Sequence, residues 1–385
     1  MLSHLSKSQT ETIAIWYVVQ HSLSSFYKIQ KHFKTLEQAL KPENISQWQN
    51  LALHKNHLQR LEKFHTSEGQ NDFQQLLNQI KQSSDFVIIE TDSCYPTQLL
   101  PYSDRPPIIF GQGNAQILLQ PQVAIVGSRK SSTHGRQVAY DFAYYLSEKG
   151  FYINSGLAQG IDEASHQGGL KNQHTIAVMG TGLDITYPSQ NTTLRQDIIK
   201  NNGAVITEFL PTTKPLQQHF PRRNRIVSGL SLGVIVAEAT LESGSLITAK
   251  LAAEQGKLIF AIPGHIYSEF HQGCHQLIRE GAILIDHPEQ VVEDLALPTQ
   301  WQAKQAETQN ITSKLFEKNN EESSNIPDYL ITLYKQLDWV GQDIDQLAAI
   351  LNLDIATLTG YLMELELSGL CMQQSGLYVR CRSNK

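Results

Sequence analysis

Residues 123–129 read VAIVGSR, an apolar run that ends in a glycine, a serine and an arginine. Four later segments repeat this pattern of an apolar run followed by a turn of small residues: FYINSGLAQGID at 151–162, TIAVMGTG at 175–182, GVIVAEATLESGS at 233–245 and LIFAIPG at 258–264. Each run is typical of a strand buried on both faces, and helical stretches separate the runs. The pattern therefore predicts an α/β fold whose core is an extended, Rossmann-like parallel sheet.

The turns that follow these strands favour an anionic ligand. In open parallel sheets the ligand sits outside the carboxyl ends of the strands. Loops with small side chains let a ligand approach the backbone amides, and the N-termini of the following helices attract negative charge. The segment FPRRNR at 220–225 adds three arginines within four residues. We therefore expect a ligand that carries phosphate.

Composition narrows the class of protein. The chain has 385 residues, a formal net charge of −6 and 41% hydrophobic residues. This charge argues against a protein that coats nucleic acid through bulk positive charge, so any attraction for a polyanion must be local. No apolar run is long enough to span a membrane. The four cysteines form no CxxC pair and are typical of thiols in a reducing cytoplasm, where we expect this protein to act without a metal or cofactor.

Changes in composition along the chain predict four regions. Residues 1–80 have apolar residues at helical spacing and predict an N-terminal helical domain. Residues 81–297 contain the strand pattern of the Rossmann-like core. Residues 298–326 are rich in Gln, Asn, Glu and Ser and predict a linker. Residues 327–385 regain helical periodicity before a short hairpin pattern, which favours a winged-helix module.

The first candidate site follows the first strand. Gly127, Ser128 and Arg129 would offer two amides, a hydroxyl and a guanidinium to a phosphate. The alternative is a surface arginine at the start of a helix. The position at the carboxyl end of a strand favours the phosphate site.

The arginine-rich segment is the stronger signal. Arg222, Arg223 and Arg225 would repel one another unless an anion or carboxylates lie nearby. We expect them to contact phosphate, while the alternative is a helix start whose arginines pair with Glu208 or Glu238.

Two further groups complete the candidate site. Phe220 is suited to stack on a base, as aromatic residues do in proteins that bind single strands. The alternative is that its ring packs in the core beneath the site. Ser243, Gly244 and Ser245 suit a helix N-cap and, equally, a second phosphate position together with Thr248.

Several enzyme classes are disfavoured by missing patterns. The first turn has no GxGxxG, and the second strand ends at Asn154 where a dinucleotide-binding enzyme usually has an acidic residue. Asp162 follows a glycine turn and is expected to cap a helix. The sequence has no nucleophile elbow, P-loop or HExxH pattern, so we expect a protein without catalytic activity.

The C-terminal module is unusual in its charge. From residue 336 to residue 379 there is no Lys, Arg or His, whereas six carboxylates occur in the same stretch. A winged helix that reads DNA needs cations to neutralise phosphates. The pattern therefore favours a module that contacts protein rather than DNA.

The core motifs, taken together and in order, resemble the DNA-processing protein A family, also called Smf. They are GSRKSSTHG at 127–135, SGLAQGID at 155–162, GTGLDITYP at 180–188, FPRRNRIVSGLS at 220–231, EATLESGSLITAKLAAEQG at 238–256 and FAIPG at 260–264. The resemblance spans about Tyr95 to Leu295, and the last module is similar to the winged helix that many members carry.

The resemblance implies a non-enzymatic binder of single-stranded DNA. Such proteins protect incoming DNA during natural transformation in competent cells, dimerise through the Rossmann-like core and load the RecA recombinase in DNA recombination. Matched position by position, the family's DNA pocket is implied at these residues: Gly127, Ser128, Arg129, Arg223, Asn224, Arg225, Ser243, Gly244 and Ser245.

The chain departs from the family pattern at a few positions. The family usually has Arg at the position of Gln159 and Lys or Arg at the position of Glu242. Both changes reduce the positive charge expected at the rim of the pocket. The stretch 20–25 lacks the glycine of the family's helix-hairpin-helix, so the sequence leaves open whether the N-terminal domain contacts DNA.

One alternative comes from another class of protein. Cytokinin-activating phosphoribohydrolases share a related sheet and use a PGGxGTxxE motif with a catalytic glutamate. The nearest equivalent here is Glu238, followed by Ser243, Gly244 and Ser245, and its spacing differs from that motif.

Overall fold

The computed structural model describes Leu2, residues 4–295 and most of the C-terminal part of the chain. The chain divides into two compact units, Met1–Ala303 and Lys304–Lys385, which we call the first and second units. The predicted linker, residues 298–326, lies outside the described residues. In the second unit the described ranges are 327–337, 342–351, 353–368, 370–374 and 377–380.

The first unit begins with six helices and continues with a series of alternating strands and helices. The helices are α1 Lys7–Val18, α2 Leu23–His32, α3 Leu36–Ala39, α4 Ile45–Gln49, α5 Lys55–Phe64, α6 Ser67–Ser83, α7 Thr133–Glu148, α8 Ile161–Leu170, α9 Thr192–Lys200, α10 His219–Leu230, α11 Gly244–Glu254, α12 Gln272–Arg279 and α13, described at residues 288–295. The strands are β1 Phe86–Ile89, β2 Ile108–Gly113, β3 Gln122–Val126, β4 Tyr152–Ser155, β5 Thr175–Val178, β6 Ala204–Thr207, β7 Gly233–Val236, β8 Leu258–Ala261 and β9 Ile283–Leu284.

These strands form one sheet in the order β1-β2-β6-β5-β4-β3-β7-β8-β9. The seven strands from β6 to β9 in this order run parallel, and β2 and β1 add an antiparallel edge. The predicted Rossmann-like α/β fold is therefore confirmed, and the five predicted strands are β3, β4, β5, β7 and β8. The prediction missed β2, β6 and β9; β6 continues into Glu208 and Phe209, and β9 continues into Ile285 and Asp286, without the small-residue turn by which the other strands were found.

Successive side chains of β3 point to opposite faces of the sheet, and helices cover both faces. Val123 and Ile125 belong to a core formed with α7, α8 and α13, whereas Ala124 and Val126 belong to a core formed with α10, α11 and α12. All four side chains are buried because helices pack on both sides.

The N-terminal helices pack on the sheet edge within the same unit. Trp16 and Trp48 are fully buried, and their core includes β1, β2, β5 and β6 residues such as Phe110. The Trp16 indole Nε1 donates a hydrogen bond of 2.8 Å to the backbone oxygen of Glu208, just after β6. This bond ties α1 to the segment that leads towards α10.

The strand order creates a switch point between β3 and β7. The chain proceeds from β3 to β4, β5 and β6 in one direction, and from β7 to β8 and β9 in the other. The loops that leave β3 and β7 therefore diverge and leave a crevice at their carboxyl ends.

The described residues of the second unit form three helices and a hairpin, as in a winged helix. Its elements are α14 Asp328–Gln336, α15 Ile344–Leu351, α16 Ile355–Leu367, β10 Cys371–Gln374 and β11 Leu377–Arg380, and the two strands pair antiparallel. Buried leucines from all three helices, including Leu333, Leu347 and Leu362, form its separate core. The winged-helix prediction is confirmed, although Gly369 and Gly376, expected at the hairpin, lie outside the described residues.

Among the described residues no single helix is long and apolar enough to cross a membrane. Helices α15 and α16 would pass that test of length and composition only as a pair, across a bend of 108°.

Candidate nucleic-acid interface

The candidate site is a groove of about 970 Å³ at the carboxyl edge of the sheet, at the switch point. Its lining comes from the loops after β3 and β4, from α10 and the start of α11, and from the segment between β8 and α12. Ligands of open α/β sheets bind in this position. The predicted site residues that line the groove are Gly127, Ser128, Arg129, Phe220, Arg223, Asn224, Ser243, Gly244 and Ser245.

Arg129 and Phe220 come together at this groove although they are distant in sequence. Arg129 is exposed, and its guanidinium carbon lies 5.0 Å from the centroid of the Phe220 ring, a cation–π distance. The half-buried Phe220 ring is 5.5 Å from the ring of Tyr187, which also lines the groove. A cation beside an aromatic face can meet a phosphate and a base together.

The loop after β3 is fixed by a buried glutamate. The Glu238 carboxylate accepts a hydrogen bond of 2.9 Å from the Ser132 amide and another of 2.5 Å from the Ser132 hydroxyl. The Ser128 amide donates to the Glu238 backbone oxygen at 2.8 Å. One of the two amides expected to bind phosphate is therefore already used, and Ser128 can contribute its hydroxyl only. The geometry fixes the position from which Arg129 projects.

Arg223 is the buried cation of the groove. Its side chain is 5% exposed, and Nη1 donates to the backbone oxygen of Val178. It passes so close to Gly156 that a Cβ there would lie 2.0 Å from this nitrogen, so the glycine is required by the arginine. Burial lowers the pKa of Arg223 to about 10, and Asp162 opposes this shift. Arg223 is therefore charged at neutral pH, and its Nε has no hydrogen-bond partner among the described residues.

Asp162 holds the loop after β4 and does not cap a helix. Its Oδ2 accepts hydrogen bonds from the amides of Gly156 at 3.1 Å and Ala158 at 3.3 Å. The N-cap residue of α8 is Gly160, which makes no side-chain cap. Burial raises the pKa of the Asp162 carboxyl, and Arg223 and these amides oppose the rise. The cap prediction is wrong because the carboxylate turns back to the loop that precedes the helix.

Arg222 and Arg225, both predicted to contact phosphate, do not line the groove. Arg222 Nε lies 2.8 Å from Glu208 Oε1, and Arg225 Nη2 lies 2.5 Å from Glu208 Oε2. Both arginines are on the face of α10 that turns away from Phe220 and Arg223. The alternative pairing with Glu208 is therefore the one observed, because a buried carboxylate takes up both charges.

The start of α11 forms another part of the lining. Ser243 is its N-cap, and the Ser243 hydroxyl accepts a hydrogen bond of 3.4 Å from the Ser245 amide. The two hydroxyls are 2.7 Å apart. Gly244 is exposed, and Thr248 lines the groove one turn later. Capping and groove lining thus occur at the same residues.

The two departures from the family pattern have different positions. Glu242 is exposed and lines the groove just before α11. Gln159 is exposed but is not among the residues that line the groove. Of these two departures, only Glu242 therefore changes the charge of the groove lining.

Sequence reasoning missed several lining residues. Lys130 follows Arg129 directly, and Tyr187 lies within the TYP motif, so both could have been found from their neighbours. Ile247, Glu269 and Phe270 carried no comparable signal, since two of them lie between β8 and α12 in a segment without a recognised motif. We call Arg129, Lys130 and Arg223 the cationic wall of the groove.

The fold and the groove place the chain among Rossmann-like α/β proteins with an added winged-helix unit. A family model described as DNA recombination-mediator protein A matches residues 86–296, and a DprA winged helix domain matches residues 330–376. The first match covers more than half of the chain, and the chain belongs to this family. The resemblance derived from the motifs is confirmed.

Relatives with this similarity come from several bacteria. The chain is 37% identical over 307 residues to protein Smf of Escherichia coli strain K12, which covers 79% of each chain. It is 48% identical over 204 residues to the DNA processing protein DprA of Streptococcus pneumoniae, covering 53% of this chain and 72% of that protein.

Two solved structures share the fold. The X-ray structure of DprA from S. pneumoniae superposes with a TM-score of 0.65 at 36% identity, and covers 75% of this chain and 98% of that one. A DprA structure from Helicobacter pylori superposes with a TM-score of 0.51 at 28% identity, covering 56% and 98%. The latter structure is described as giving insight into a single-stranded DNA binding mode.

Proposed function

We propose that this protein binds single-stranded DNA in the groove and delivers it to a RecA-type recombinase during natural transformation, in the cytoplasm of competent cells. The observation that carries the proposal is the contact between Arg129 and Phe220 at the switch point, because it joins a phosphate-binding cation to a base-stacking ring. Family membership supports the role in recombination.

The groove suits a single strand better than a duplex. Readers of duplex DNA place a helix or strand against base edges in a groove of the double helix. Here the phosphates would lie against the cationic wall, a base would stack on Phe220, and the α11 N-terminus would contact the strand from the other side of the groove. We therefore expect little dependence on base sequence. The residues proposed to contact DNA are Gly127, Ser128, Arg129, Phe220, Arg223, Asn224, Ser243, Gly244 and Ser245, with Lys130 added.

We propose that the protein is not an enzyme. Glu238, the residue nearest to the catalytic glutamate of phosphoribohydrolases, is fully buried and accepts hydrogen bonds from Ser132. It does not line the groove. A nucleotide-release assay checks this directly: release of base from a nucleoside monophosphate, lost in Glu238→Gln, would favour the hydrolase.

We further propose a homodimer formed through the β8–β9 side of the core. An apolar depression of about 650 Å³ lies there between α11 and α12, with Leu246, Ala249 and Ile283 in its lining. Leu284 on the edge strand β9 is 49% exposed. Light scattering of the parent and of Leu284→Arg tests this proposal, and a parent that is monomeric at micromolar concentration would contradict it.

The main test compares labelled single-stranded and duplex oligonucleotides by fluorescence anisotropy at two salt concentrations. We expect the single strand to bind more tightly, with affinity that falls as salt rises because counterions are released from the phosphates. Tight, sequence-selective duplex binding would contradict the proposal. RecA delivery is tested separately by the rate of RecA filament assembly on single strands covered by a single-strand binding protein, which this protein should increase.

A further inference from the structure

The side of the groove opposite the cationic wall has a different chemistry. Ile247 from α11 and Phe270 from the segment before α12 both line the groove, and they are 42% and 37% exposed. Ile266 and Tyr267, a few residues before Phe270, are 72% and 84% exposed and lie outside the residues that line the groove. We call these four residues the apolar wall.

Backbone hydrogen bonds attach the segment that carries Phe270 to the segment after β7. The Ala239 amide donates to the Phe270 backbone oxygen at 2.8 Å, and the Gly273 amide donates to the Ala239 backbone oxygen at 2.8 Å. These bonds join the segment after β7 to the segment before α12. The turn that carries Tyr267 is closed by a hydrogen bond of 2.9 Å from the Ser268 amide to the His265 oxygen.

Exposed apolar side chains are concentrated here. In the described part of the first unit eleven large apolar residues are exposed, and these four are among them together with Leu241, which precedes α11. Scattered single residues of this kind need no explanation, whereas three of them within five residues, beside a groove, indicate a binding surface. The occupant must therefore present apolar surface to it.

Charge decides which part of a strand faces this wall. Glu242 and Glu269 line the groove on this side, whereas Arg129, Lys130 and Arg223 line it on the other. Carboxylates repel phosphates at short range, and the arginines attract them. A strand in the groove is thereby oriented with its backbone on the cationic wall and its bases towards the apolar wall.

We propose that the apolar wall is a base-stacking subsite for the single strand, with Tyr267 as its outermost ring. This inference rests on the proposed function, since it assigns the second half of the same groove. Stacking on an aromatic ring is independent of sequence because every base has a π-face. The subsite would therefore add affinity without adding base preference.

The experiment compares an oligonucleotide of thymidines with an abasic oligonucleotide of the same number of phosphates. The parent should bind the base-bearing strand more tightly. Tyr267→Ala should weaken binding of that strand by about fivefold or more, the range expected for loss of one stacked base. It should leave the abasic affinity and the salt dependence unchanged, because no phosphate contact is lost.

Three variants serve as controls. Tyr267→Phe keeps the ring and should bind like the parent. Tyr144→Ala removes a tyrosine of 42% exposure on α7, a helix that contributes no residue to the lining of the groove, and should have no effect. Arg129→Ala should weaken binding of both strands.

Two outcomes separate failure of this inference from failure of the proposed function. If the parent binds neither strand, the proposed function itself is wrong. If the parent binds both strands and Tyr267→Ala binds them like the parent, or loses affinity for both alike, the stacking subsite is wrong and the cationic wall stands.

Discussion

The two faces of α10 use the same residue type for different purposes. Arg223 lies on the face that also carries Phe220, Asn224 and Val227 and lines the groove. Arg222 and Arg225 lie on the other face and pair with Glu208. Arginines close together in sequence are thus divided between the groove and the Glu208 cluster, and the position of the Glu208 carboxylate decides which of them join the cluster.

The Glu208 face is a tightly coupled ionic cluster inside the protein. Glu208 is fully buried, and Arg225 is 6% exposed. Burial opposes ionisation of Glu208, but the charges of Arg225 and Arg222 hold the pKa of this carboxyl below its usual value. Removing Arg225 would leave Glu208 paired with Arg222, which donates to both carboxylate oxygens, but it would take away the buried hydrogen bond that Arg225 donates to this charged group.

Arg225→Ala should give the largest effect, because it leaves this buried cluster incomplete. We expect the free energy of unfolding of the first unit to fall by about 3 kcal/mol, because a buried hydrogen bond to a charged group and the packing of the Arg225 side chain are both lost. Urea unfolding followed by the fluorescence of the buried tryptophans measures the change. Asn224→Ala, on the adjacent groove face, is the matched control and should cost less than about 1 kcal/mol. Equal losses in the two variants would remove the distinction between the faces.

Lowering the pH should reduce the free energy of unfolding, because a buried histidine, His21, lies beside the Glu208 cluster. His21 accepts a hydrogen bond of 3.1 Å from the Leu210 amide, and burial first, then Arg222, lower its pKa to about 3. Burial also lowers the pKa of His166 to about 3. Between pH 6.5 and pH 3 the unfolded chain binds protons that the folded chain does not, so stability falls as the pH is lowered through this window.

Each of these histidines should contribute up to about 1.4 kcal/mol per pH unit to that slope. The measurement is the free energy of unfolding between pH 7 and pH 4 for the parent and for His21→Gln, in which the glutamine can still accept the bond. The variant should show a shallower slope. An unchanged slope would mean that His21 titrates normally in the folded protein.

Arg129→Ala tests the groove side of the comparison. We expect single-strand affinity to fall by about tenfold, which corresponds to about 1.4 kcal/mol. The slope of log affinity against log salt should become shallower by about 0.7, the value for one phosphate on a single strand. The free energy of unfolding should stay within about 0.5 kcal/mol of the parent because this side chain is exposed.

The matched control for Arg129 is Lys200→Ala, which removes an exposed cation at the end of α9, just before β6 begins at the opposite edge of the sheet. It should change neither affinity nor salt slope. If both variants reduce the slope alike, binding reflects general charge rather than this groove.

The division of α10 shows what sequence can predict and what it cannot. Phe220, Arg223, Asn224 and Val227 have the spacing i, i+3, i+4, i+7 of one helix face, so helical periodicity alone could have selected the groove-lining residues. The pairing of Arg222 and Arg225 with Glu208 could not be predicted from helical periodicity. Glu208 lies outside α10, and the loop between them does not determine where its carboxylate points.

Other contacts depend on tertiary packing. The bond from Trp16 to the Glu208 oxygen joins residues 192 positions apart, and nothing local in α1 indicates it. By contrast, the strands β3, β4, β5, β7 and β8 were predictable because each ends in a turn of small residues. The apolar wall could be predicted only in part. The sequence shows that residue 267 is a tyrosine, but its exposure is known only from the fold.

Deletion of the second unit should have the smallest effect on single-strand affinity. Here the comparison is between the two units of the chain rather than between the two faces of α10. Residues 336–379 contain no Lys, Arg or His, and Glu364 and Glu366 are exposed. Because this unit has its own leucine core, deletion of residues 327–385 should leave the first unit folded. Its carboxylates can only repel phosphates, so single-strand affinity should stay within about twofold of the parent or rise slightly.

Titration of a labelled oligonucleotide with the full-length and the truncated protein at matched salt measures this change in affinity. A tenfold loss, about 1.4 kcal/mol, would show that the second unit supports DNA binding or the dimer, and the groove alone would then not account for affinity.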